Sequence, residues 1–336
     1  MRTRHFSSSD PVSSPASAKA SAGRHRPVLL HEVVHALAVE KDDIVVDATL
    51  GGAGHAEALT KHLGPDGIFI GFDLDRDAIE RTREKLGSNA KIHLIEADFR
   101  HMGKELERLG IQSVTKVLFD LGWSGYQLDS GRGFSFLADE PLLMTYRKEG
   151  DGLTAKVIVN TWSEESLADV IYGFGEERFA RRIAREIVER RKKRSFETSG
   201  DLADAIRNAV PAAYRRGKIH PATKTFQALR IAVNDEFGAL QEGLEAAWKL
   251  LPEGGRIAVI TFHSVEDRVV KRAFKDLVRL GKAHEIEKKP IRPTRDEVKR
   301  NRRARSAKLR VIQKISYESS HSKNKQIRPL DISGEN

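Results

Sequence analysis

The chain has 336 residues, no cysteine, and 58 Lys and Arg against 48 Asp and Glu, a formal net charge of +10. Disulfides, thiolate metal sites and a cysteine nucleophile are therefore excluded, and no apolar stretch is long enough to cross a bilayer. The length suits one large α/β domain or a domain carrying a second as an insertion, the expected compartment is the cytoplasm, and the positive charge points to an anionic partner, nucleic acid first.

Residues 1–26 are rich in Ser, Ala and Pro, hold a single acid, Asp10, and show no apolar periodicity. They read as a disordered tail. An Arg- and Ser-rich, acid-poor start also suits an organellar transit peptide, but Pro11 and Pro15 interrupt any amphipathic helix there.

From Pro27 the pattern is that of a doubly wound sheet. Apolar runs at 44–46, 68–72, 92–95 and 117–119 alternate with helical stretches such as 77–86, the signature of parallel strands joined by crossover helices. The first run ends in DATLGGAGH, Asp47 to His55, and the second in GFDLD, Gly71 to Asp75. A small-residue loop between strand and helix lets a ligand approach the backbone, and Asp73, about twenty residues on, has the spacing of an acid that accepts from ribose hydroxyls. The loop lacks both the GxGxxG spacing of a dinucleotide site and the GKS or GKT of a phosphate cradle. S-adenosylmethionine, with a ribose and an amino acid tail but no phosphate, fits better. Asp73, Asp98 with Phe99, and Asp120 are expected to converge on one crevice beside Gly54, at the sheet edge where open α/β folds bind ligands.

After the fourth strand the alternation stops. Residues 137–220 read as an inserted all-helical domain, with apolar residues at three- and four-residue intervals over 163–172, 176–191 and 199–210. Ser163 has Ser166 rather than Glu or Gln three residues on, so it is expected to be a simple N-cap. The α/β domain would then comprise 27–136 and 221–320, with a flexible tail over 321–336. Its second part begins with a long helix, 223–251, followed by a strand at 256–262, a loop HSVEDR at 263–268 and a last strand at 309–315. Basic residues concentrate at 178–194 and 288–310, and are expected to form two walls of one groove for a polyanion, whose phosphates would give salt-sensitive affinity.

The stretches RPVLLHE, DATLGGAGH, DLGWSGYQLD followed by RGFSF, GEERFARRIAREIV, HPATKTFQALRIAVNDE, ITFHSVEDRVVK and RSAKLRV resemble the ribosomal RNA small subunit methyltransferase H family, also called MraW, from about residue 26 to 315. The resemblance implies a Rossmann-like methyltransferase fold with an inserted helical domain. It also implies methyl transfer from S-adenosylmethionine to the N4 atom of a cytidine in the decoding region of 16S ribosomal RNA, position 1402 in RNA numbering. The small ribosomal subunit is the implied partner, with a homodimer left open and no metal among the expected ligands. By motif, the cofactor residues are Ala53, Gly54, His55, Asp73, Phe99, Asp120 and Gln127. Phe99 can pack on an adenine face and His55 is given a binding role only. Asp120, placed like the acid that opens the motif of exocyclic-amine methyltransferases, is the candidate catalytic acceptor, with a structural cap or a cofactor-only role as alternatives. Trp123 and Tyr126 could stack on an extruded base.

Two blocks depart from the family pattern. Trp123, Gly125 and Tyr126 replace a small apolar residue, a serine and a proline, and Leu143 and Thr145 stand where the family carries an acid and an arginine. These departures motivate an alternative reading, a non-catalytic or retargeted RNA-binding assembly factor that keeps the cofactor fold.

Overall fold

The computed structural model describes residues 26–87, 91–122, 131–147 and 152–316. The tails expected over 1–26 and 321–336, and Trp123, Tyr126 and Gln127, lie outside the described residues, apart from Arg26 at the end of the first tail.

Seven strands form one sheet: β1 (Ile44–Asp47), β2 (Ile68–Asp73), β3 (Ile92–Glu96), β4 (Lys116–Asp120), β5 (Arg256–Thr261), β6 (Ala283–Glu285) and β7 (Lys308–Lys314). Their order is β3-β2-β1-β4-β5-β7-β6. The first five strands pair in parallel, whereas β7 runs antiparallel to both β5 and β6. Because β2 and β4 flank β1 on opposite sides, the chain reverses its direction of travel there, and the crevice beyond the carboxyl ends of β1 and β4 is where such a sheet receives a ligand. β6 was not anticipated, since three residues are too few to show an alternating pattern.

Both faces of the sheet are covered, which explains why its strands read as continuous apolar runs. Successive residues alternate between two cores: Val45, Phe69, Leu118 and Ile260 pack on one side with the helices Leu30–Leu37 and Gly54–Thr60. Val46, Ile70, Phe119 and Val259 pack on the other with Leu240 and Leu244 of the helix Glu236–Leu250. A third core is separate from the sheet. It gathers Ile158, Leu167, Ile171, Ile183, Ile187, Leu202 and Ile206 from the helices Ala155–Thr161, Glu164–Gly175, Ala180–Arg191 and Ser199–Ala209. Thr154, Ser163 and Thr198 cap three of these helices, each side chain accepting from a backbone N–H three residues on.

Two sequence expectations require correction. The single helix at 223–251 is two helices, Thr223–Asn234 and Glu236–Leu250, broken at Asp235, whose φ is 46°. The break lets the first half give Phe226 and Leu229 to the helical core and the second half give Leu240 and Leu244 to the sheet core. A straight helix could not serve both. In addition, HSVEDR is not a loop but the start of the helix Ser264–Arg279. His263 accepts from the Glu266 N–H, and the Glu266 carboxylate accepts from the N–H groups of Phe262 and His263, a reciprocal cap.

Candidate active site

A cavity of about 1530 Å³ opens at the carboxyl ends of β1, β2, β3 and β4, between the sheet and the helical insertion. One wall comes from the strand-end loops, with Gly51, Gly54, His55, Asp73, Asp98, Phe99 and Asp120 among its lining residues. The facing wall comes largely from the helical side, with Phe136, Tyr146, Phe226, Arg230, Asn234 and Glu236, and Glu266 reaching in from the helix after β5.

The loop after β1 is shaped by two left-handed residues, Gly51 (φ 48°) and Ala53 (φ 62°). This conformation turns the Gly51 N–H onto Asp73 Oδ2 at 2.9 Å, while the Asp75 N–H meets Asp73 Oδ1 at 2.9 Å. Each Asp73 oxygen thus keeps accepting capacity for a ligand. Burial raises the Asp73 pKa to about 6, against the lowering effect of those two hydrogen bonds. Gly54 serves packing: a Cβ there would lie 2.8 Å from Pro27 Cγ, so it is the proline ring that approaches the backbone closely.

Asp47, His55 and Asp120 form a buried cluster beneath the loop. His55 Nδ1 is 3.3 Å from Asp120 Oδ2, and its Nε2 is 3.0 Å from the Val28 carbonyl oxygen. Asp120 Oδ1 and Asp47 Oδ2 are buried with no hydrogen-bond partner among the described residues. Burial raises the Asp47 pKa to about 7, the charge of His55 opposing the shift. A buried acceptor left open at a cavity wall is where a ligand's N–H or O–H is accommodated at least cost.

The opposite wall satisfies its own charges. Arg230 donates to both Glu236 oxygens at 2.7 and 2.8 Å and lies 3.9 Å from Glu266, and Tyr146 Oη donates to Glu236 at 2.8 Å. Burial, outweighed by these carboxylates, leaves the guanidinium pKa raised, while burial first and the adjacent carboxylates next hold the Tyr146 hydroxyl well above its usual value. Glu236, His263 and Glu266 bring three metal-ligand atoms within 4.8 Å of one another, but Arg230 already supplies the cation to these carboxylates. None of these five residues was singled out from the sequence. Asn-Asp-Glu inside a helical run, at 234–236, was the available signal of a break with polar side chains turned inward.

The structure brings together Gly54, His55, Asp73, Phe99 and Asp120 as lining residues. Ala53 does not line the cavity: it is fully buried in the core below, and its part is the left-handed turn. Phe99 meets Phe119 edge-on, with ring centroids 5.4 Å apart, and rests against Gly243, where a Cβ would come within 2.6 Å of its ring. The ring is therefore held as part of the shelf.

The two basic segments do not form two walls of this cavity. Arg300, Arg302, Arg303 and Arg305 are exposed and line it, whereas no residue of 178–194 does. In that segment Arg185 pairs with Glu164, Lys192 with Glu189, and Arg190 with Asp201, while Arg191 donates to the Val159 carbonyl. Lys308 and Arg310 are likewise spent on Asp267.

The residues present fit S-adenosylmethionine. Asp73 keeps accepting capacity, Leu74, Ala97 and Phe99 provide an apolar shelf, and the loop has no phosphate cradle. The volume exceeds that of an ordinary small-molecule pocket and leaves room for a second group.

Fold and crevice together define a methyltransferase-type α/β protein. Comparison with known proteins narrows this: residues 22–315 match the model of the MraW methylase family, and the chain belongs to that family. It is 44% identical over 311 residues to the ribosomal RNA small subunit methyltransferase H of Symbiobacterium thermophilum, covering 88% of this chain and 98% of the relative. A protein of the same name from Acetivibrio thermocellus is 45% identical over 311 residues, covering 87% and 99%. Among solved structures, a putative rRNA-methylase from Clostridium thermocellum aligns over 85% of this chain and 93% of its own at 17% identity, with a TM-score of 0.40.

Proposed function

We propose that this protein transfers a methyl group from S-adenosylmethionine to the N4 amine of a cytidine in 16S ribosomal RNA of the small subunit, position 1402 in RNA numbering. The observation that carries the reading is the unpartnered Asp120 Oδ1 at the wall of a cavity whose neighbouring loop holds Asp73, in a chain of the MraW methylase family. Asp73 would hold the ribose hydroxyls, and the shelf of Leu74, Ala97 and Phe99 the adenine. When bound, the cofactor supplies a sulfonium-activated methyl, whose bond to sulfur breaks with the electron pair going to sulfur as the bond to N4 forms.

The amine lone pair is delocalised into the cytosine ring, so the chain's task is to align the amine and accept its proton. Asp120 Oδ1 accepts an N–H hydrogen bond and then the proton. Once the N–C bond forms, the nitrogen is a stronger acid than a carboxylic acid, so a weak carboxylate base suffices. Arg302, Arg303 and Arg305 on the rim would take the flanking phosphates.

The test is mass spectrometry of nucleosides from small subunits lacking the modification, treated with the enzyme and S-adenosylmethionine. N4-methylcytidine is the expected product. A different methylated nucleoside would mean a retargeted enzyme, in keeping with the departures near Tyr146, and no methylated nucleoside would overturn the reading.

A further inference from the structure

We propose that His55 is a positioning residue: as an imidazolium bridging the Val28 carbonyl and Asp120, it holds Asp120 ionised and turns its free oxygen toward the substrate amine. This rests on the reading of Asp120 as the amine's acceptor.

The geometry carries the argument. Nε2 is 3.0 Å from the Val28 carbonyl oxygen, which can only accept, so Nε2 bears a hydrogen. Neutral imidazole would then present the Nδ1 lone pair to Asp120 Oδ2 at 3.3 Å, two acceptors facing one another in a site where both side chains are largely buried. A proton between them removes the conflict, and on nitrogen it makes the pair imidazolium and carboxylate.

The surroundings favour that state. Asp47 at the end of β1 acts on the ring from a second direction, with Oδ2 buried and unpartnered among the described residues. Desolvation works against the cation, and the hydrogen bond to Asp120 together with the charges of Asp120 and Asp47 outweighs it, so the imidazole pKa stands above its ordinary value. Asp73, at the end of β2, acts on Asp47. On the neighbouring helix Arg76–Leu86, Lys85 donates to the Gly52 carbonyl at 2.6 Å and Arg81 reaches the Gly51 carbonyl at 3.5 Å.

With Oδ2 engaged by His55, Oδ1 is the Asp120 oxygen without a partner among the described residues, and it is the one offered to the amine. During transfer the N–H bond breaks and the O–H bond forms at Oδ1, which neutralises the methylated nitrogen and leaves Asp120 as the acid. His55 keeps its proton, and Asp120 releases its own to solvent when the product leaves. Because the functional form of His55 is the protonated one, activity is present below its pKa and is lost as the pH rises through it.

The first test reads the wild-type full-length protein labelled with 15N-histidine and loaded with S-adenosylhomocysteine. At about pH 7 both ring nitrogens of His55 should be protonated, with deprotonation only above the ordinary histidine range. A neutral Nε2–H tautomer at that pH overturns the proposal. In the second test, His55→Gln should lower kcat by about 100-fold, leave KM for the subunit within about threefold, and lose the alkaline fall in the pH profile. An unchanged kcat, or an alkaline limb that persists, overturns it. If His55→Gln does not fold, the wild-type spectrum decides alone. That spectrum is readable whatever RNA is methylated, so failure of this proposal is distinguishable from failure of the proposed function.

Discussion

On the strand-end wall of the cavity, Asp120 Oδ1 is buried without a partner among the described residues, whereas on the facing wall Arg230, Glu236, Glu266 and Tyr146 satisfy one another. Both walls are charged, but the carboxylates of the facing wall are paired with Arg230, whereas Asp120 on the strand-end wall keeps an open acceptor. The difference separates recognition and chemistry from architecture. Open acceptors lower local stability and are retained where a ligand fills them, while a closed ion network fixes the position of the insertion relative to the sheet. Arg230 and Tyr146 lie on the insertion side, and Glu266 begins the helix after β5, so the network spans the junction.

The largest effect should come from opening the closed wall. Arg230→Met would take the guanidinium from the partly buried Glu236 and the buried Glu266, at a cost of about 3–5 kcal/mol in unfolding free energy, measured by denaturant titration. A loss below about 1 kcal/mol would show that the network is not the clamp described. On the open wall, Asp120→Asn keeps shape and removes the base. Its kcat for methyl transfer should fall by about 100-fold or more, with binding of S-adenosylhomocysteine little changed. A comparable loss in binding would instead make Asp120 a cofactor ligand only.

The two basic segments extend the comparison to the surface. Replacing Arg302, Arg303 and Arg305 together by Ala should weaken RNA binding about tenfold at physiological salt and reduce the salt slope by about 2–3. The matching triple change at Arg181, Arg182 and Arg185, on a helix that does not reach the cavity, should alter binding less than about twofold. Equal effects would place RNA across both segments and restore the two-walled groove.

The sheet was legible because buried parallel strands write long β-branched runs into the sequence, and because Asp73 follows the glycine loop at a distance set by one helix and one strand. The acids at 73, 98 and 120 converge for the same reason: Asp73 and Asp120 end parallel strands and Asp98 follows the third by two residues. The facing wall was not legible. Arg230, Glu236 and Tyr146 come from segments distant in sequence or separated by a bend at Asp235, and nothing local marks a charged residue as buried by tertiary packing. The cap formed by His263 was hidden because histidine rarely caps, although Glu266 three residues on was visible. Over 178–194, spacing shows charge density but not the carboxylates that reach Arg185 and Arg190 from the helices Glu164–Gly175 and Ser199–Ala209.

The central claim, that the strand-end wall is a nucleoside pocket whose acid is Asp73, is tested most directly by calorimetry of S-adenosylhomocysteine binding as a function of pH. Asp73 in the free protein has its pKa raised to about 6, and ribose hydroxyls favour its ionised form. Binding should therefore be tight at about pH 8, release protons near pH 6, and weaken as the pH falls further. Absence of binding heat across that range, or affinity that rises toward acid pH, would contradict the account.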